Sequence, residues 1–232
     1  MLTEQDLNKE LIDQLSNENF LENKVKSMFF LQNELNSLID SSWFEHKHWD
    51  FQRATMIELG ELMDHYGYKW WKKQEPNIDQ CKLEVIDILH FHISHLIQAA
   101  HRDGYEYDAY FPDLAENLVV IDIDKSAETI RSLIDEAIFL AAGKNFSSKA
   151  LGYLMNAFDI TPNELCDKYI IKNTLNIFRA NNGYKAGTYK KTWNGKEDNE
   201  VLMEVFHTLD SSSPTFADDL YSKLEEEYQK VA

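Results

Sequence analysis

Glycine and proline are scarce, eight and four in 232 residues. So few chain breakers exclude a fold of many short strands and turns and point to long helices. Cysteine is nearly absent. Cys81 and Cys166 stand far apart and form no Cys-x-x-Cys pattern, which excludes a disulfide framework and fits a reduced, cytoplasmic protein. No stretch reaches the roughly 18 uninterrupted apolar residues that a spanning helix needs. Met1 is followed by Leu-Thr-Glu-Gln-Asp, without the basic start and apolar run of a signal peptide. Positive charge is also in short supply: 23 Lys and Arg face 40 Asp and Glu, a net charge of −17. Such a surface excludes broad binding to nucleic acid or anionic membrane, and leaves local capture of an anion through metal or a basic patch.

What is present is a large apolar complement, 44% hydrophobic residues, enough for the core of one large domain or two small ones. No internal repeat or low-complexity linker divides the chain. The simplest organisation is one all-α domain over residues 1–232, with the middle helices of 101–160 as a candidate movable cap.

Two short acidic patterns stand out, Glu58-Leu-Gly-Glu61 and Glu84-Val-Ile-Asp87. Each lies in a helix-period apolar segment, expected at about 51–66 and 79–100, and residues three apart share a helix face. If the two helices pack together, four carboxylates meet. Four such charges need counter-charge in a packed interior, and hard cations with oxygen ligands, Mg²⁺ above all near phosphates, supply it. The second helix is apolar nearly all round and therefore buried, which makes Glu84 and Asp87 the more telling pair. His90 and His95 on the same helix read as core or edge histidines.

Residues 3–40 read as one or two helices. Gln32 and Asn36 lie four apart on one face, either as a solvated face or as amides facing a base, since an amide offers both donor and acceptor. Tyr68-Lys69-Trp70-Trp71-Lys72-Lys73 is either a hydrophobic anchor or a stacking surface with phosphate-reaching lysines. Helices are expected from Ser126 to Gly143, from 148 to 160 and, capped by Thr161-Pro162-Asn163-Glu164, from there to about Asn181. Residues 101–125 show no clear period.

The stretch from Lys172 to Lys196 reverses the sign of the chain, with six Lys and Arg and no acid. Lys172, Asn176 and Arg179 fall on one face of the capped helix, and Tyr184-Lys185-Ala186-Gly187-Thr188-Tyr189-Lys190-Lys191 follows as a glycine-punctuated basic loop. A charge run is commonly a solvated face; the alignment and the glycines favour a polyphosphate clamp.

Taken in order, Leu31-Gln32-x-x-Leu35-Asn36, Glu58-x-x-Glu61, Tyr68-Lys-Trp-Trp-Lys72, Glu84-x-x-Asp87, Lys172-x-x-x-Asn176-x-x-Arg179, Asn182-Gly183-Tyr184-Lys185 and Gly195-Lys-Glu-Asp-Asn199 resemble the all-α, dimeric dUTPases, relatives of the MazG-like pyrophosphohydrolases. The resemblance covers roughly residues 28–100 and 162–202. It implies an all-helical homodimer that uses Mg²⁺, two or three ions with substrate bound, to hydrolyse dUTP and dUDP to dUMP. By the same resemblance Glu58, Glu61, Glu84 and Asp87 hold the metal, with Glu61 the choice for orienting water. Lys172, Arg179, Tyr184, Lys185 and Lys191 hold the phosphates, and Lys69 lies beside them. Asn176 sits near the sugar, Phe91 crowds its 2′ position, Gln32 and Asn36 read uracil, and Trp71 packs nearby.

Three other readings compete. A helical interaction module without catalysis would explain the aromatics but not four buried acids. A dual dCTP/dUTP enzyme would share the acids and differ in the base pocket. A di-iron carboxylate bundle would draw on Asp87-x-x-His90, but that fold expects two Glu-x-x-His motifs and no second one pairs with it.

Overall fold

The computed structural model describes residues 4–46, 49–210, 213 and 215–231, with side chains from Phe20 onward. Within these residues the chain is all-α. Its helices are α1 (Glu4–Ile39), α2 (Phe51–Tyr66), α3 (Ile78–Asp103), α4 (Phe111–Asn117), α5 (Ala127–Ala142), α6 (Ser148–Ala157), α7 (Pro162–Asn181), α8 (Asp198–Phe206) and α9 (Phe216–Gln229). One small antiparallel hairpin, β1 (Thr192–Trp193) with β2 (Lys196–Glu197), precedes α8.

Local chemistry sets the ends. The Asp50 carboxylate accepts from the Arg53 N–H at the start of α2, and the Asn77 amide oxygen accepts from Gln80 at the start of α3. Ser126, Ser147 and Thr161 do the same for α5, α6 and α7, each satisfying a backbone donor that the helix leaves unpaired. Gly67 closes α2 at φ 96°, a conformation that costs a side chain energy and glycine none. The stretch without a clear period holds a 3₁₀ turn (Tyr107–Tyr110), α4 and an irregular segment. Asn156 ties that segment down: its amide donates to the Val119 carbonyl and accepts from the Ile121 N–H.

α2 and α3 form the most extensive helix pair, with α5 against α2 and α1 against both α3 and α7. Leu59, Leu62, Val85, Ile86, Leu89 and Ile93 are among the residues at the centre of this main core. α5 and α6 contribute to the same core through Ile130, Ile134, Leu151 and Leu154. Gly152 permits the close approach of α6 to the end of α4: a Cβ there would lie 2.1 Å from the Asn117 carbonyl oxygen.

A second core gathers the C-terminal half of α7, the hairpin, α8 and α9 around Phe178, Trp193, Leu202 and Leu220. α7 belongs to both: Leu165 and Tyr169 pack in the first core, Leu175 and Phe178 in the second. No helix among the described residues is long and apolar enough to cross a membrane.

Candidate functional site

The α2–α3 pair brings Glu58, Glu84 and Asp87 together, each offering a carboxylate oxygen within 4.8 Å of the others. Glu84 is buried, while Glu58 and Asp87 are half-buried. Glu61, one turn beyond Glu58 on the same helix, is exposed and stands outside this three-carboxylate group. Burial above all, then repulsion from neighbouring carboxylates, pushes Glu58 and Glu84 well above the usual carboxylate range, and the two share a hydrogen bond. His65, a turn past Glu61, places its Nε2 3.4 Å from the Glu84 Oε1.

α7 supplies the opposite charge. Lys172 is only 2% exposed, and its Nζ donates to the Asp87 Oδ2 and to the Asn199 Oδ1, both at 2.8 Å. Two turns further, the Arg179 guanidinium grips Asp198 with two N–H donors, Nε to Oδ2 and Nη2 to Oδ1, both at 2.8 Å. The Tyr189 hydroxyl donates to the same Oδ2 at 2.8 Å, and Arg179 Nη1 donates to Asn176 Oδ1 at 3.1 Å. Asp198 is completely sealed. Burial alone would raise its pKa; the Arg179 guanidinium overrides that and holds it below the ordinary carboxylate value. Both contacts come from the first two residues of α8, whose start is braced by a capping box between Glu197 and Glu200.

The amides of α1 lie beside α3 and α7. Tyr169 on α7 donates its hydroxyl to Gln32 Oε1 at 2.8 Å and to the Met28 carbonyl at 3.1 Å. Gln32 Nε2 donates to Asn36 Oδ1, Asn36 Nδ2 to Ser94 Oγ, and Ser94 Oγ to the His90 carbonyl. This chain of donors fixes both amide orientations. Phe91 is half-buried and packs toward Phe51.

The remaining sequence candidates lie at or near the surface, outside the carboxylate group. Trp71 is exposed with its ring edge-on to Tyr68 and Trp70. Lys69 pairs with Asp64 and covers the Tyr68 ring. Tyr184 is exposed beneath the Arg179 guanidinium, Lys185 reaches the Ile39 carbonyl, and Lys191 approaches Glu197 at 3.7 Å. His90 lies outside the carboxylate group, with Nδ1 donating to the Ile86 carbonyl and its ring stacked on Tyr169. The Asp87-x-x-His90 pairing of a di-iron centre therefore does not converge.

Sequence reasoning passed over Asp198, Asn199 and Tyr169 as individual residues. A signal existed for the first: Glu197 and Asp198 end the acid-free basic stretch that runs to Lys196, within Gly195–Asn199. Tyr169, three residues before Lys172, carries no such mark.

The donor set suits a hard divalent cation. Fully ionised, the three clustered carboxylates carry more negative charge than the Lys172 ammonium can balance, and burial with mutual repulsion raises the pKa of Glu58 and Glu84 where no cation offsets it. The family model described as dUTPase matches residues 24–184, more than two thirds of the chain. No curated protein matches the chain.

Proposed function

The chain belongs to the all-α dUTPase family and is a dUTP diphosphatase, and we propose that it works as a Mg²⁺-dependent hydrolase of dUTP and dUDP at the junction of α2, α3 and α7. The observation that carries this reading is the salt bridge from Lys172 to Asp87. It joins the carboxylate group to the polar face of α7 in one site.

In this reading Glu58, Glu84 and Asp87 hold Mg²⁺, and Glu61 on the solvent side completes the shell or orients the attacking water. When bound, Mg²⁺ supplies the Lewis acidity that neutralises phosphate oxygens and activates water. Lys172 keeps one N–H beyond those given to Asp87 and Asn199, available to a phosphate oxygen. Arg179 is anchored by Asp198 at two nitrogens and leaves Nη1 turned to Asn176, so those two residues act together beside the sugar and phosphates. Tyr184, Lys185 and Lys191 serve the phosphate end from the loop, and Lys69 and Trp71 add a cation and a ring for the nucleotide. Phe91 crowds the sugar, and Gln32 and Asn36 face the base. Attack of water at the β-phosphate, with dUMP as leaving group, serves both substrates: dUTP yields dUMP and pyrophosphate, dUDP yields dUMP and phosphate.

The protein is proposed to act as a homodimer in the cytoplasm. Nucleotide is its partner rather than nucleic acid, as its charge of −17 favours.

The test is competitive hydrolysis of dUTP, dUDP, dCTP, dTTP and UTP by one preparation, with Mg²⁺ and with excess EDTA. Rapid dUMP release that EDTA abolishes is expected. Undiminished turnover in EDTA overturns the metal assignment, and equal rates for dUTP and dCTP move the protein to the dual-specificity enzymes.

A further inference from the structure

The carboxylate group gathers on α2 and α3, and one nitrogen side chain of α2 turns onto it. Glu58, Glu61 and His65 stand at i, i+3 and i+7, one face of α2. His65 Nε2 lies 3.4 Å from the Glu84 Oε1, while His65 itself is not a member of the three-carboxylate group. Among the described residues it is the one basic side chain that pairs with Glu84, since Lys172 pairs with Asp87. Side-chain exposure falls from 35% at His65 to 8% at Glu84, so the pair runs inward from the surface. A basic residue in the last turn of a helix already suits the helix dipole. The dipole does not require the ring to meet a carboxylate of the neighbouring helix.

The backbone at His65 is held from two directions. Its carbonyl accepts from the Asn77 N–H at 2.9 Å. Asn77 in turn caps α3, its side-chain oxygen accepting from the Gln80 N–H. The end of α2 is thereby hydrogen-bonded to the residue that starts the helix carrying Glu84. Two residues after His65, Gly67 caps α2 with its N–H on the Met63 carbonyl, and its own carbonyl accepts from Arg131 Nε at 2.9 Å. These ties fix the height of His65 along α3.

We infer that His65 is a positioning residue for the metal site: its Nε2–H donates to the Glu84 Oε1 and leaves the second oxygen of Glu84 for the cation. This rests on the reading of the three carboxylates as Mg²⁺ ligands. An ionised carboxylate only accepts, so the nitrogen is the donor whenever Glu84 serves as a ligand. At 3.4 Å the contact is longer than a formed N–H···O bond; charge on Glu84 shortens it. Partners of this kind orient ligating carboxylates, and their loss weakens metal binding by about 10- to 100-fold. His65 is partly exposed, which puts its effect at the lower end of that range.

Two substitutions in the full chain separate the donor from the bulk. His65→Leu removes the N–H and keeps an apolar side chain of similar reach. His65→Gln gives up the ring and keeps an N–H donor. Mn²⁺ binding without nucleotide, followed by the electron paramagnetic resonance of free Mn²⁺ at one fixed pH, reads the metal apart from turnover. A Mg²⁺ titration of dUTP hydrolysis reads it in use, and melting curves check the fold. His65→Leu is expected to weaken Mn²⁺ by about 10-fold and to raise the half-activating Mg²⁺ concentration by a larger factor than it lowers kcat. His65→Gln is expected to recover most of both. Unchanged Mn²⁺ affinity in His65→Leu overturns the inference, and so does a His65→Gln variant as weak as His65→Leu, which assigns the loss to packing. If His65→Leu does not fold, His65→Ala takes its place in the same comparison. Failure of the unaltered protein to bind Mn²⁺ overturns the inference by removing the metal reading beneath it.

Discussion

Asp198→Leu should be among the most damaging single changes available in the C-terminal third of the chain. The carboxylate is sealed from bulk solvent and takes two guanidinium donors from Arg179 and one hydroxyl from Tyr189. Removing one partner of a buried ion pair costs about 3–5 kcal/mol, because the remaining charge stays desolvated. In a protein of this size about 1 kcal/mol moves Tm by roughly 2–4 °C, so Asp198→Leu should lower it by roughly 6–20 °C. Replacing both charges gives a different result. Arg179→Met with Asp198→Leu leaves no stranded ion and should recover most of the loss, since an apolar pair of similar volume is often neutral or better. Calorimetric unfolding of the four proteins of this double-mutant cycle gives the coupling directly. Activity should follow another pattern: both single variants and the double variant lose turnover, because each lacks an anchored guanidinium. A loss below about 1 kcal/mol in Asp198→Leu, the range of exposed pairs, would refute the reasoning, as would a double variant less stable than either single one.

Without metal, stability should fall as pH rises from about 4.5 toward the raised pKa values of Glu58 and Glu84. Groups that bind protons more tightly when folded stabilise the fold fully below their unfolded pKa and lose that contribution through the folded one. Melting in EDTA from pH 7 to 9, above the range where the lowered pKa values of buried His90, His92 and His95 push stability the other way, checks this, and a curve that rises from 7 to 9 would contradict it. Lys172→Met should weaken a non-hydrolysable dUTP analogue far more than dUMP, since charge-assisted contacts scale with the phosphates present; equal losses in calorimetry would move Lys172 away from the β- and γ-phosphates. Gly152→Ala should destabilise by about 1–3 kcal/mol through a clash with the Asn117 backbone, measured by urea unfolding, and an unchanged midpoint would show that α4 yields easily.

Much of the fold was legible because helix periodicity and capping are local. The helix expected at about 51–66 spans Phe51–Tyr66, and Thr161 caps α7 through the Glu164 N–H as its position suggests. The irregular run after α4 was not legible, because Asn156, 35 residues away from Ile121, holds it. The site divides in the same way. The i, i+3 spacing correctly aligns Glu84 with Asp87, and packing brings Glu58 to them, but helical phase alone could not tell that Glu61 sits on the solvent side of the same face. Likewise Lys172 and Arg179 share a face, as their spacing requires. That each is tied to an acceptor at the start of α8 depends on the chain doubling back through a two-residue hairpin, which no periodicity announces.

The doubling back also sets the smallest piece of this chain that can stand alone. The family match ends at residue 184, just past α7, and a fragment trimmed to that boundary would keep the acidic motifs and all of α7. It would keep Lys172 and Arg179 but lose Asn199, Asp198, Tyr189 and the α8–α9 side of the second core. Phe178 and Leu175 would face water, and the Arg179 cation would be left without its anchor. Any shortened version meant for expression or grafting therefore has to carry the chain through α9, although the family match stops some 45 residues earlier.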